Sequence, residues 1–168
     1  SWGTSTRMIG GLVMVHGDDR GLVLPPKVAP IETVILPIAA HKEGVLEKAR
    51  EIRQRLENAG IRVELDNRDQ SAGWKFNEWE MKGVPMRIEI GPRDIEAGQA
   101  LAVRRDNFEK VTLPLDGIET SVADMLKNIQ RGLFEKAKKN RDARIFNAKN
   151  MDQLRRGIGL RAYGHNDP

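Results

Sequence analysis

Between Thr33 and Leu65 the chain runs strand, helix, strand with few residues to spare, and that order restricts the fold. Residues 33–38, TVILPI, are an apolar run of strand length. Val45, Leu46, Ala49, Ile52 and Leu56 then recur at helical spacing over about 44–59, and Gly60 stands just past the end. In 61–65, IRVEL, the residues alternate and place Ile61, Val63 and Leu65 on one face. A helix between two strands is a crossover, so the strands are predicted to lie parallel with a right-handed connection.

The elements that follow extend this unit. A helix is predicted over 74–82 and a strand over 85–90, PMRIEI, with Met86, Ile88 and Ile90 inward and Arg87 and Glu89 on the opposite face. After a turn at 91–94, QALAVRR and VTLPL form an antiparallel pair. A long helix from about 119 to 139 or beyond carries the stripe Val122, Met125, Leu126, Ile129 and Leu133. The expected fold is α/β, a mixed five-stranded sheet with about three covering helices. Ahead of it, Ile9, Leu12, Val13 and His16 share a helical face, with a strand end leading in and Gly17 as a C-cap. Pro25, Pro26 and Pro30 then mark a boundary near 24–31.

Charge is unevenly placed. From Lys127 to Arg161 eleven lysines and arginines face three acids, a balance of +8, so the rest of the chain sums to −4. Lys136, Lys138, Lys139, Arg141 and Arg144 crowd the late turns of the long helix. A solvated helix face is the plainer account; a polyanion footprint is the other. The absence of cysteine excludes disulfides and thiolate zinc sites and points to the cytosol. No apolar run approaches the roughly 20 residues of a membrane span.

The usual enzyme constellations are missing. His16, His41 and His165 lie far apart, none at metal-ligand spacing, and no GxSxG, Walker or GxGxxG pattern occurs. His16-Gly17-Asp18-Asp19 reads as a helix end followed by a polar turn. The segment GWKFNEWEMKGVPMRIEIGPRD is more informative. Its aromatics Trp74, Phe76 and Trp79 suit core anchors, while Lys75, Glu78 and Lys82 would face water. Glu80 late on the helix, Arg87 on the strand, and Arg93 and Asp94 in the turn would bring two carboxylates and two guanidiniums towards one side. A carboxylate accepts from guanine N1 and N2, and arginine donates to O6 and N7, so the set suits bases splayed from a single-stranded loop, with the basic helix holding phosphates.

These residues carry a resemblance. SWGTSTRMIGGLVMVHGDDRGLVLPPKVAP resembles the end of a class II catalytic domain, including motif 3, and GWKFNEWEMKGVPMRIEIGPRD resembles the anticodon-binding domain of the same family, the prolyl-tRNA synthetases of archaeal and eukaryotic-like type. The resemblance runs from Ser1 to about Leu154 and implies three parts. Residues 1–30 would be the end of the catalytic domain and a linker, 31–150 the anticodon-binding domain, and 151–168 a divergent tail. It implies that Arg7 is the motif 3 catalytic arginine on the ATP phosphates, with Ser5 and Thr6 beside the adenylate and Trp2 and Gly3 in the amino-acid pocket. Glu80, Arg87, Arg93, Asp94 and Lys110 would read the anticodon, whose second and third bases are guanine for proline, and Lys136, Lys138 and Lys139 would contact phosphates.

The implied partners are tRNA and, in a longer parent, a second copy of the chain, with ATP and magnesium as that enzyme's requirements and the cytoplasm as its place. No membrane, DNA or zinc partner is expected. Motifs 1 and 2 would precede Ser1, so the 168 residues alone are expected to be a fragment without aminoacylation activity. The alternative is a module that keeps the fold but serves protein interaction or regulation without charging tRNA.

Overall fold

The computed structural model describes residues 3–162, with side chains described through residue 157. Two compact units emerge, residues 1–133 and 134–168. In the first, a parallel core of β3 (Thr33–Pro37), β4 (Val63–Leu65) and β5 (Met86–Ile90) is extended by antiparallel β6 (Gln99–Arg104) and β7 (Lys110–Pro114) in the order β4-β3-β5-β6-β7. Thr33 pairs with Val63 on one side and Met86 on the other.

The connecting helices fall on opposite faces of the sheet. From α2 (Val45–Asn58), Val45, Ala49, Ile52 and Leu56 are buried, as their spacing requires. Ala49, Ile52 and Leu56 pack with Ile35, Met86, Ile88 and Ile90, and the same cluster takes Ile118, Val122, Met125, Leu126 and Ile129 of α5 (Ile118–Asp142). On the other face Trp79 of α3 (Ala72–Met81) joins Val34, Leu36 and Val84, with Phe76 at the margin. Ser71 caps α3, its Oγ accepting from the Trp74 N–H at 3.3 Å. Met86, Ile88 and Ile90 are fully buried while Arg87 and Glu89 are half-buried on the α3 face, as the alternation requires.

Three expectations about α3 and its neighbours change. Residues 91–94 open a short helix, α4 (Pro92–Glu96), because the Asp94 carboxylate accepts from the Gly91 N–H at 2.8 Å and closes the first turn. Lys75 is buried rather than facing water, since its Nζ reaches the Asp66 carbonyl oxygen at 3.3 Å and a carboxylate oxygen of Asp66 at 3.9 Å. Trp74 is not a core anchor: it is 45% exposed, because Trp79, five residues on, occupies the core position.

Asp66 organises that end of the molecule. Its carboxylate is buried, accepts from Trp79 Nε1 at 2.8 Å, and takes the Arg68 fork at 2.7 and 2.9 Å. Burial pushes this carboxyl up, but the hydrogen bonds from Arg68 and Trp79 outweigh it and hold the group well below the usual carboxylate range.

The N-terminal elements bring a second surprise. Helix α1 (Arg7–His16) is present, but no strand precedes it among the described residues, and Gly17 is extended at φ −117° as the start of a hairpin, β1 (Gly17–Asp18) with β2 (Gly21–Leu22). The hairpin docks on the end of α3. A Cβ on Gly21 would lie 2.6 Å from the Met81 carbonyl oxygen, and one on Gly83 would lie 2.7 Å from the Leu22 backbone. Both glycines also have positive φ, 128° and 74°. The proline-rich stretch does not run free: the Leu24 N–H donates to the Gly83 carbonyl at 3.2 Å, and Arg62 donates to the carbonyls of Ala29 and Pro26 at 3.1 and 2.7 Å.

Met8, Ile9, Val13, Met14 and Val15 of α1 stay exposed. The second unit holds the last turns of α5 and an unanticipated helix, α6 (Met151–Ala162). No helix among the described residues is long and apolar enough to cross a membrane.

Two outcomes are expected. Asp66→Asn removes the charge that Arg68 and Lys75 share, although Arg68 keeps Glu78 and Lys75 keeps the residue 66 carbonyl, and should cost about 2 kcal/mol in denaturant unfolding at neutral pH. An unfolded aspartate titrates near about 3.9, so with a depressed folded value the wild type holds this stabilisation above that pH and loses it as the pH falls further; the variant should lack that part of the acid dependence. Gly83→Ala forces the Leu22 backbone away, and faster amide exchange confined to residues 17–24 should report the released hairpin.

Candidate nucleic-acid interface

Glu80 and Arg87 meet directly. Glu80 sits in the last turn of α3 and Arg87 on the adjoining face of β5, and Arg87 Nη1 donates to Glu80 Oε1 at 2.5 Å while its Nε donates to Glu89 at 2.8 Å. The Phe76 ring lies against the same guanidinium, 4.4 Å from ring centre to Cζ. Both side chains retain about an eighth of their exposure, 13% for Glu80 and 14% for Arg87. Arg87 Nη2 makes no hydrogen bond among the described residues, so a donor remains for a ligand.

Lys110 belongs to the same face. Val103 on β6 is the register partner of both Arg87 and Lys110, so the three stand in a row across β5, β6 and β7. Two strand spacings put the Cα atoms of Arg87 and Lys110 about 10 Å apart. Lys110 is exposed on the edge strand.

Arg93 and Asp94 occupy a different position, on α4 just past the carboxyl end of β5. α4 lies on the face that carries α2, its Ile95 packed against the α2–α5 cluster, whereas Arg87 stands on the opposite, α3 face. Arg93 is exposed, and its side chain has no partner among the described residues. One oxygen of Asp94 is committed to the Gly91 N–H, so its first role is to shape the turn that carries Arg93. Beyond the carboxyl ends of β3 and β4 a cleft of about 280 Å³ opens, lined by Ile38, His41, Arg68, Lys75 and Phe76 among others.

Arg20 was not singled out from the sequence, and the hairpin delivers it to Glu80. The Arg20 N–H donates to Asp18 at 2.9 Å, which tightens the turn, and Arg20 Nη1 stands 3.6 Å from Glu80 Oε2. Its guanidinium lies over the Phe108 ring at 4.5 Å. Buried Arg105 fixes the assembly: it donates to both Asp18 oxygens at 2.6 and 2.8 Å and to the Glu80 carbonyl at 2.9 Å. The Arg105 fork holds the Asp18 carboxyl down at about 2. The run GDDRG was legible as a turn, but not as one that reaches back to an arginine 87 residues away.

The residues expected to form motif 3 lie apart from this cluster in contacts. Gly3, Ser5, Thr6 and Arg7 are exposed at the start of α1, and no described residue hydrogen-bonds their side chains. Trp2 lies outside the described residues. Lys136, Lys138 and Lys139 are exposed on the α5 turns of the second unit.

Comparison with known proteins agrees with this architecture. The family model described as "Anticodon binding domain" matches residues 32–125. The proline–tRNA ligase of Alkaliphilus oremlandii (strain OhILAs) is 58% identical over 156 residues, 92% of this chain and 32% of its own length. That of Ruminiclostridium cellulolyticum (strain ATCC 35319 / DSM 5812 / JCM 6584 / H10) is 54% identical over 92% of this chain and 32% of its own. Proline–tRNA ligase 2 of Clostridioides difficile (strain 630) is 53% identical over 94% and 33%. The chain thus spans about a third of the length of these relatives, in which its resemblance to the prolyl-tRNA synthetases is plain. With a mixed five-stranded sheet between helices and a family match over the whole of that sheet, the chain belongs to the anticodon-binding domain family.

Proposed function

We propose that this chain recognises the anticodon of proline tRNA as part of a proline–tRNA ligase. The observation that carries the proposal is the Glu80–Arg87 pair, a carboxylate and a guanidinium held together on the α3 side of the sheet and largely shielded from water. Guanine matches that set, since Glu80 accepts from its N1 and N2 while Arg87 or Arg93 donates to O6 and N7. Lys110 on the same face serves a phosphate or a base acceptor, and Asp94 holds the turn that presents Arg93. Lys136, Lys138 and Lys139 supply sequence-independent phosphate contacts. Residues 1–30 belong to the catalytic domain, 31–150 to the anticodon-binding domain and 151–168 to a tail.

Joining proline to tRNA is assigned to the whole enzyme, a cytoplasmic homodimer using ATP and magnesium. There Arg7, Ser5 and Thr6 would face the nucleotide, with Trp2 and Gly3 at the amino-acid pocket. The donor set fits, because an exposed guanidinium and two hydroxyls at a helix start suit a polyphosphate.

The test uses an RNA stem-loop bearing the proline anticodon and one whose two guanines are adenine. The 168-residue chain should prefer the first by about tenfold or more. Glu80→Gln should reduce that preference more than it reduces affinity for the adenine loop. Replacing Lys136, Lys138 and Lys139 by alanine should weaken both RNAs equally and flatten the salt dependence. Equal binding of the two loops by the wild type sinks anticodon reading, and salt-insensitive binding favours a protein partner.

A further inference from the structure

Trp74 is the one large aromatic side chain of α3 left in solvent, 45% exposed, and it lines a cleft of about 430 Å³ together with Asp19, Arg20, Asn77, Glu78, Glu80 and Met81. Glu80 is shared between this cleft and the Arg87 pair, so the two places adjoin. Two of the three acids of the cleft are answered, Glu78 by Arg68 at 2.6 Å and Lys82 at 2.7 Å and Glu80 by Arg87 and Arg20, while the exposed Asp19 stands in solvent beside Arg20. Arg20 keeps 61% of its side chain exposed while its guanidinium is steadied over Phe108, which leaves donors pointing to solvent. Asn77 is exposed and carries both a donor and an acceptor.

From this geometry we infer a second nucleotide subsite, resting on the anticodon reading above: a base next to the one read at Glu80 and Arg87 stacks on Trp74, its edge meets the Asn77 amide, and Arg20 takes the adjoining phosphate. The tryptophan is preset for this. Arg68 lies over its ring at 5.1 Å, and that guanidinium is clamped by Asp66 and Glu78. A π-face held on one helix next to an amide suits a planar base better than a peptide side chain, because stacking uses the ring and the amide uses the hydrogen-bonding edge. Arg20 comes from the hairpin directly after α1, so the subsite is complete only when that hairpin is docked on Gly83 and Arg105.

A double-variant cycle tests the inference. The 168-residue chain and its Trp74→Leu variant are titrated with the proline stem-loop and with versions made abasic at each loop position other than the two guanines. In the wild type one such abasic change should weaken binding about tenfold. In Trp74→Leu the intact loop should bind about tenfold more weakly and that abasic penalty should vanish. Trp74→Phe should keep most of the penalty, which separates stacking from loss of fold, and Asn77→Ala should alter which base is preferred at that position. A penalty unchanged in Trp74→Leu, or no penalty at any of these positions in the wild type, overturns the subsite. Preference for guanine over adenine is read separately with the wild type: its loss with Trp74 coupling intact overturns anticodon readout but not stacking, and its survival without coupling does the reverse.

Discussion

The buried guanidinium of Arg105 is where three separate pieces of chain are joined. It stands just past β6, binds both oxygens of Asp18 in the N-terminal hairpin, and donates to the carbonyl of Glu80 at the end of α3. A buried cation without these acceptors would be far less stable than one exposed to water, so the hairpin is required by the charge rather than merely resting on it. The consequence is functional. Arg105 fixes the backbone of Glu80, and through Asp18 it fixes the turn that places Arg20 3.6 Å from the Glu80 carboxylate.

The sheet topology decides where recognition can occur. Because β3 connects to β4 through α2 on one face and β4 connects to β5 through α3 on the other, each face has one crossover helix. Arg93 stands past the carboxyl end of β5 on α4, whose Ile95 packs into the α2 face. The face carrying α3 is covered over β3, by Trp79 and Phe76, while β5 and the antiparallel strands beyond it carry Arg87, Glu89 and Lys110. The other face needs no such opening, since α2 and α5 seal it with one continuous apolar cluster.

How much of this could be read in the sequence follows from which forces act locally. The crossover and the alternation of MRIEI were legible because a period of 3.6 or 2 is set by the backbone, and Arg87 and Glu89 fell on the predicted face for that reason. Trp74 and Lys75 were misplaced because helical spacing says which residues share a face but not which of two aromatics takes the core. Asp66 settled that by offering an acceptor to Trp79 Nε1 and to the Lys75 ammonium. The hairpin at 17–22 was illegible because two-residue strands carry no period, and its docking relies on Gly21 and Gly83, whose lack of Cβ matters only once both surfaces are known. Asp94 was singled out for base recognition, and the partner the structure gives it is the Gly91 N–H three residues back, a short-range bond that also makes α4.

If the chain reads an anticodon as proposed, two kinds of charge would serve the two parts of that binding, and their burial would explain the division. Glu80 and Arg87 are held in a partly desolvated pair with a fixed geometry, so a base that replaces one of their mutual contacts meets groups already oriented, and a base with the wrong edge leaves a charge unpaired. Such a site loses little ordering entropy and rejects mismatches strongly. Lys136, Lys138 and Lys139 are exposed on long flexible stems, so they accept any phosphate at low desolvation cost and discriminate nothing. Arg20 stands between these cases: its guanidinium is positioned by Phe108 and Glu80 but remains mostly in water. In the proposed subsite it would hold a phosphate in register with the base being read, and its location on the hairpin would make that register depend on the segment joining α1 to the sheet.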